Sequence, residues 1–160
     1  MTAISFEYFP PKTNEQRAQF ERAHARLAPL GPDYCSVTFG AGGSTLSYTQ
    51  DAVLGLNRTG ATDVAPHLSC QGGSADEIRE LLDTYRKAGI RRLVALRGDV
   101  PSGMASAGQF HYANELVEFI RRETGDHFHI EVACYPEFHP ECDDPQSDLR
   151  NFKRKVDAGA

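Results

Sequence analysis

The chain has 160 residues, 40% of them apolar, which suits one domain with a real core. A net charge of −5 and a pI near 5.6 argue against nucleic acid or an anionic membrane as the main partner. No run is apolar for long enough to span a bilayer, and the opening Met1–Glu7 lacks the charged and apolar regions of a secretory signal, so a cytoplasmic location is expected. The cysteines Cys35, Cys70, Cys134 and Cys142 show no Cys-x-x-Cys spacing. Cys35 and Cys134 fall in strand-like runs, where a thiol behaves as a small apolar group, so neither a disulfide framework nor a metal site is expected.

In chain order, Ile4–Phe9 is β-prone and is expected to form a buried first strand, ended by Pro10-Pro11 because proline cannot donate ladder hydrogen bonds. Alternation sends Ile4, Phe6 and Tyr8 to one face and Ser5, Glu7 and Phe9 to the other. Glu7 then lies near a C-terminal strand end, where a partly desolvated carboxyl group holds its proton toward neutrality and can act as a general acid. Further strands are predicted at Tyr34–Phe39, Val64–Leu68, Arg92–Leu96 and His129–Ala133, their largely apolar character fitting a parallel sheet covered by helices. Helices are predicted between them at Asn14–Leu27, Thr45–Asn57, Ala75–Ala88, Tyr112–Glu123 and Ser147–Ala158. The third has Ser74 as N-cap with Glu77 three residues on, and the fifth has Leu149, Phe152 and Val156 along its apolar side.

Five βα units alternate in this way, with a period of roughly 30 residues and no linker between them. Such a pattern builds either a doubly wound open sheet or part of an eight-stranded barrel, and both gather their ligand site at the C-terminal strand ends. Polar residues recur at those ends: Glu7, Thr38, His67, Arg97-Gly98-Asp99, and Tyr135 with His139. They are expected to converge on one cavity.

Several local motifs have simpler readings. Gly40-Ala41-Gly42-Gly43-Ser44 matches neither phosphate-binding glycine pattern and reads as a turn that lets backbone approach a ligand or a neighbouring loop. Arg97-Gly98-Asp99 follows a buried-strand pattern, which argues against an adhesion role. His139-Pro140-Glu141-Cys142-Asp143-Asp144 carries metal-capable groups, but neighbours in a proline-containing loop rarely aim at one ion. Asp148, Asn151 and Lys155, at i, i+3 and i+7 beside Arg154, form a polar helix side that is either solvated or able to grip a sugar and diphosphate.

Six ordered motifs together resemble the methylenetetrahydrofolate reductase family of flavoenzymes over nearly the whole chain. They are Ser5–Lys12, Ser36–Ser44, Pro66–Cys70, Leu96–Asp99, Ala133–Pro140 and Phe152–Ala160. The resemblance implies a (β/α)8 TIM barrel that binds FAD, takes hydride from NADH or NADPH, and reduces methylenetetrahydrofolate to methyltetrahydrofolate for methionine synthesis. It makes Glu7 the general acid that opens the folate's five-membered ring, and Asp99 the acidic residue beside flavin and pterin. Thr38, His67, Arg97, Gly98, Tyr112, Ala113, Ala133, Tyr135 and His139 match flavin-contacting positions. Asp148, Asn151, Arg154 and Lys155 match the segment that holds the cofactor's ADP portion. Against that family, residues 1–160 read as a single partial barrel domain of five units that stops where a sixth strand would begin. The expectation is an open sheet with exposed apolar edges, prone to self-association as a homo-oligomer, and without full activity alone. Two other readings are a non-flavin pterin-binding barrel enzyme, with Glu7 and Asp99 as acid and base, and a noncatalytic barrel fragment.

Overall fold

The computed structural model describes residues 3–39, 46–71, 73–98 and 109–160. Its elements run β1 (Ser5–Tyr8), α1 (Asn14–Leu27), β2 (Tyr34–Val37), α2 (Leu46–Thr59), β3 (Asp63–Ser69), α3 (Ala75–Lys87), β4 (Arg92–Leu96), α4 (Ala113–Thr124), β5 (His129–Val132) and α5 (Pro145–Asp157). The five strands form one parallel sheet in the order β1-β2-β3-β4-β5. All five predicted strands and all five predicted helices are present, with ends that move by one or two residues. The first strand is shorter than expected because Phe9 and the two prolines leave the ladder, and the second ends at Val37, with Thr38 already in the loop.

Local chemistry explains where the helices start. Thr13 caps α1 by accepting from the Gln16 backbone N–H, and Ser74 caps α3 by accepting from that of Glu77. In each case the N3 side chain bonds back to the cap, satisfying two orphan donors at once. Asp144 caps α5, directly ahead of Pro145, whose missing N–H costs nothing at a first helical position.

The core lies between the sheet and its helices. Cys35, Val37, Val64, Leu68, Leu93, Ala95 and Ile130 point from the strands toward Val53, Leu56, Ile78, Leu82, Tyr85, Leu116 and Ile120 of α2, α3 and α4. The helix α5 has no buried residue, and its predicted apolar side is partly open: Leu149 and Val156 are exposed, while Phe152 is half-buried under the Lys155 ammonium. Cys134 also departs from expectation. It lies past the end of β5 and is exposed, whereas Cys35 is fully buried.

The other face of the sheet carries polar side chains and is concave. Adjacent strands lie about 4.8 Å apart, so β2 and β5 would be separated by about 14 Å in a flat sheet. Yet the Tyr34 hydroxyl on β2 donates to Glu131 Oε2 on β5 at 2.5 Å, across two intervening strands. Only a sheet curled toward this face brings those groups together. Arg92 on β4 completes the clasp: its Nη1 donates to Glu131 Oε1 at 2.5 Å, and its guanidinium stacks 4.6 Å over the Tyr34 ring. Burial, then the Glu131 hydrogen bond, pushes the Tyr34 phenol pKa up.

Candidate functional site

The clasp joins the first residues of β2 and β4, so it belongs to the N-terminal end of the concave face. The residues expected to bind ligand lie toward the opposite end. Glu7, on the edge strand β1, is placed beside Ser36 by the strand register and faces His67 on β3. Its Oε2 is 3.3 Å from His67 Nε2 and 3.5 Å from the Ser36 hydroxyl, which donates to it. The expected burial of Glu7 does not hold: its side chain is 55% exposed, because β1 is the sheet edge and covers it on one side only. The His67 side chain, two strands further in, is 10% exposed. Burial holds the His67 pKa below its ordinary value, against the opposing charges of Glu7 and Glu131.

At the ends of the next strands the site is built from loops. Thr38, directly after β2, is fixed by its backbone: its N–H donates to the Tyr8 carbonyl, and its own carbonyl accepts from the Thr49 hydroxyl of α2. Gly98 follows β4 with φ +77°, and a Cβ there would lie 2.3 Å from Ser69 Oγ, so only glycine lets this turn press against β3. Ser69 secures the same turn by donating to the Arg97 carbonyl. The Arg97 side chain reaches Glu141 at 2.6 Å and holds that carboxyl below the usual range, mainly through the hydrogen bond. Asp99 and the Gly40–Ser44 turn lie outside the described residues.

The loop from β5 to α5 and the helix after it form the far side. Tyr135 and His139 stack edge to face with centroids 4.8 Å apart. Asp148 accepts from the His139 backbone N–H, Asn151 approaches the Cys142 thiol, and Lys155 Nζ donates to the Ala133 carbonyl at 2.6 Å. The i, i+3, i+7 side of α5 therefore faces this loop and is not merely solvated. Arg154 points elsewhere, bonding Asn151 and lining a groove of about 520 Å³ with Asn114, Glu118 and Arg121 of α4. Tyr112 caps α4 and is exposed, with Ala113 as the first helical residue. Among the described residues the predicted groups thus gather as a Glu7–Ser36–His67 cluster, an Arg97–Glu141 pair and the α5 loop face.

Sequence reasoning missed the clasp. Arg92 and Glu131 are charged residues at alternating positions inside apolar strand runs, and that is the signal that could have found them. Their partner Tyr34 carried no such mark, because tyrosine is an ordinary strand residue.

These features define a parallel α/β protein with its polar groups spread along the carboxyl ends of the strands, where such folds hold ligands. Residues 1–160 match the family model described as methylenetetrahydrofolate reductase, and the chain belongs to that family. It is similar to the 5,10-methylenetetrahydrofolate reductase of Escherichia coli (strain K12), with 43% identity over 157 residues that cover 98% of this chain and 52% of that protein. Methylenetetrahydrofolate reductase (NADH) 1 of Arabidopsis thaliana is 40% identical over 172 residues, covering 99% of this chain and 29% of that protein. The chain spans about half the length of the bacterial relatives it matches. Among solved structures, phosphoenolpyruvate phosphomutase from Streptomyces platensis subsp. rosaceus superposes with a TM-score of 0.57 at 14% identity, over 100% of this chain and 58% of that one. At that identity the likeness is one of fold alone.

Proposed function

We propose that this chain is the N-terminal five-unit part of a (β/α)8 barrel that reduces 5,10-methylenetetrahydrofolate to 5-methyltetrahydrofolate with NADH or NADPH. The observation that carries the proposal is the meeting of Glu7 with His67 on the concave face, in a chain of this family. The curl that lets Tyr34 reach Glu131 supports closure into a barrel, and closure would need strands beyond β5. On this reading the isolated piece lacks full turnover and associates through its open edges.

The donor set fits an FAD. Among the described residues Lys155 Nζ is met by a carbonyl and by no carboxylate, which leaves its charge free for a diphosphate. The Thr38 hydroxyl, His67, Arg97, the Gly98 backbone, Ala133, Tyr135 and His139 follow one another along the strand ends, where hydrogen bonds to a heteroaromatic ring are needed. Tyr112, Ala113, Asp148, Asn151 and Arg154 complete the proposed cofactor set, and Asp99 is proposed to favour the neutral reduced ring and to hold the pterin. When bound, FAD supplies two-electron carriage between nicotinamide and folate.

The protein's own contribution is proton management and orientation. Glu7 Oε2 is held by Ser36 and His67, and the carboxyl donates the proton that lets the folate ring open to an electrophilic iminium. Nicotinamide oxidation requires orientation and no proton from Glu7. In a protein made at the length of its relatives, Glu7→Gln should leave nicotinamide oxidation by an artificial electron acceptor within a few-fold, while folate reduction falls by about 10²–10⁴, the usual contribution of a positioned acid. Equal loss in both assays, or near-normal folate reduction, would overturn the assignment. A purified protein without a flavin spectrum would favour the non-flavin pterin reading.

A further inference from the structure

We infer that His67 is the proton partner of Glu7, a positioning residue that keeps the Glu7 carboxyl ready to donate by sharing one proton across the 3.3 Å Nε2 to Oε2 contact. The inference rests on the reading of Glu7 as the acid of folate reduction and adds a residue through which that acid acts. Exposed carboxyl groups are ionised at neutral pH, so a general acid on an edge strand needs something that favours its protonated form. The imidazole supplies it by geometry. His67 is fixed in the middle of the sheet, its side chain is 10% exposed, and its Nε2 meets the same Glu7 oxygen that the Ser36 hydroxyl approaches.

A pair holding one proton exists either as imidazolium with carboxylate or as neutral imidazole with carboxylic acid, and it titrates as a unit. Burial of the ring penalises the imidazolium and is the largest influence on His67. The carboxylates of Glu7 and Glu131 pull the other way, but Glu131 is already matched by the Arg92 guanidinium and the Tyr34 hydroxyl, with the His129 ring 3.9 Å away. Glu7 from β1, Tyr34 from β2, Asp63 from β3, Arg92 from β4, and His129 and Glu131 from β5 are the titratable and charged groups on this face among the described residues. Burial and charge thus oppose each other at this contact, and the pair shares the proton between Nε2 and Oε2. After each delivery to substrate the pair takes one proton from solvent and returns to the same state, so proton gain and loss balance in every cycle.

Two measurements on protein of the relatives' length test this. In an NMR titration of the His67 ring, Glu7→Gln should move the midpoint down by about one pH unit, because it removes the carboxylate that favours the imidazolium. Superimposable curves would overturn the shared proton, and this result does not depend on turnover. In the second measurement, His67→Gln should slow folate reduction by about tenfold or more at neutral pH, with the loss shrinking as the pH is lowered and solvent supplies the proton that the ring no longer shares. A loss of the same size at every pH would show that the ring only holds cofactor or fold, and would overturn the role. If wild-type protein reduces no folate at all while the NMR coupling is present, the folate reading fails and the pair stands.

Discussion

Gly98→Ala should destabilise the protein by about 3–4 kcal/mol, although it adds one methyl group. Two costs add. A residue with a Cβ held at φ +77° carries about 1–2 kcal/mol of steric strain. The new Cβ would also lie 2.3 Å from Ser69 Oγ, so the hydroxyl must leave its position. That hydroxyl donates to the Arg97 carbonyl at 3.1 Å and accepts from the Gln71 N–H at 3.1 Å, and losing both costs about 1 kcal/mol each. Equilibrium urea unfolding at one fixed chain length, extrapolated to zero denaturant, gives the difference. Ser69→Ala supplies the internal control, since it removes the clashing oxygen and leaves Ser69 Cβ 3.5 Å away, an ordinary contact. In that background Gly98→Ala should cost only the backbone part, about 1–2 kcal/mol, giving a non-additive cycle. A cost below about 0.5 kcal/mol, or equal costs in the two backgrounds, would refute the account of why glycine is required there.

Two further outcomes follow from the geometry of the concave face and of α5. Glu131→Gln removes the charge that Arg92 and Tyr34 share across three strands, and should cost about 1–3 kcal/mol in the same unfolding assay, the worth of charge-assisted hydrogen bonds in a half-buried setting. A change near zero would mean that the sheet curls without this clasp. Lys155→Ala should weaken FAD retention, followed by flavin fluorescence, more than Arg154→Ala does, because Lys155 faces the β5 to α5 loop while Arg154 lines the groove toward α4. The reverse order would place the diphosphate in that groove.

The alternation of elements was legible because each strand and helix declared itself locally. Pro10 and Pro11 stop β1, Ser74 and Glu77 start α3, and the run Leu93–Leu96 is apolar enough for a strand covered on its helix side. The positions of Glu7, His67 and Arg97 near strand ends were legible for the same reason. What local pattern could not supply was the relation between strands. That Glu7 meets His67 two strands away, or that Tyr34 meets Glu131 three strands away, depends on curvature, which is a property of the assembled sheet and of no single segment. Burial was misjudged at Glu7 for a related reason: alternation assigns a residue to a face, and strand order decides how deeply that face is covered.

Strand order also explains why the exposure of Glu7 says little against its chemistry. On the same face Ser36 on β2 and His67 on β3 are buried, whereas Glu7 on β1 is open because no strand pairs with its outer side. At this level of the sheet, solvent access is greater on the edge strand β1 than on β2 and β3. A strand laid against β1, as barrel closure would supply, would bring Glu7 into the range of its two neighbours, and desolvation there favours the uncharged form of the Glu7–His67 pair. The clasp at the N-terminal end and the pair nearer the C-terminal end would then answer to one curvature. Glu131 ties β5 to β2 on this face, and Glu7 meets His67 across β2 on the same face.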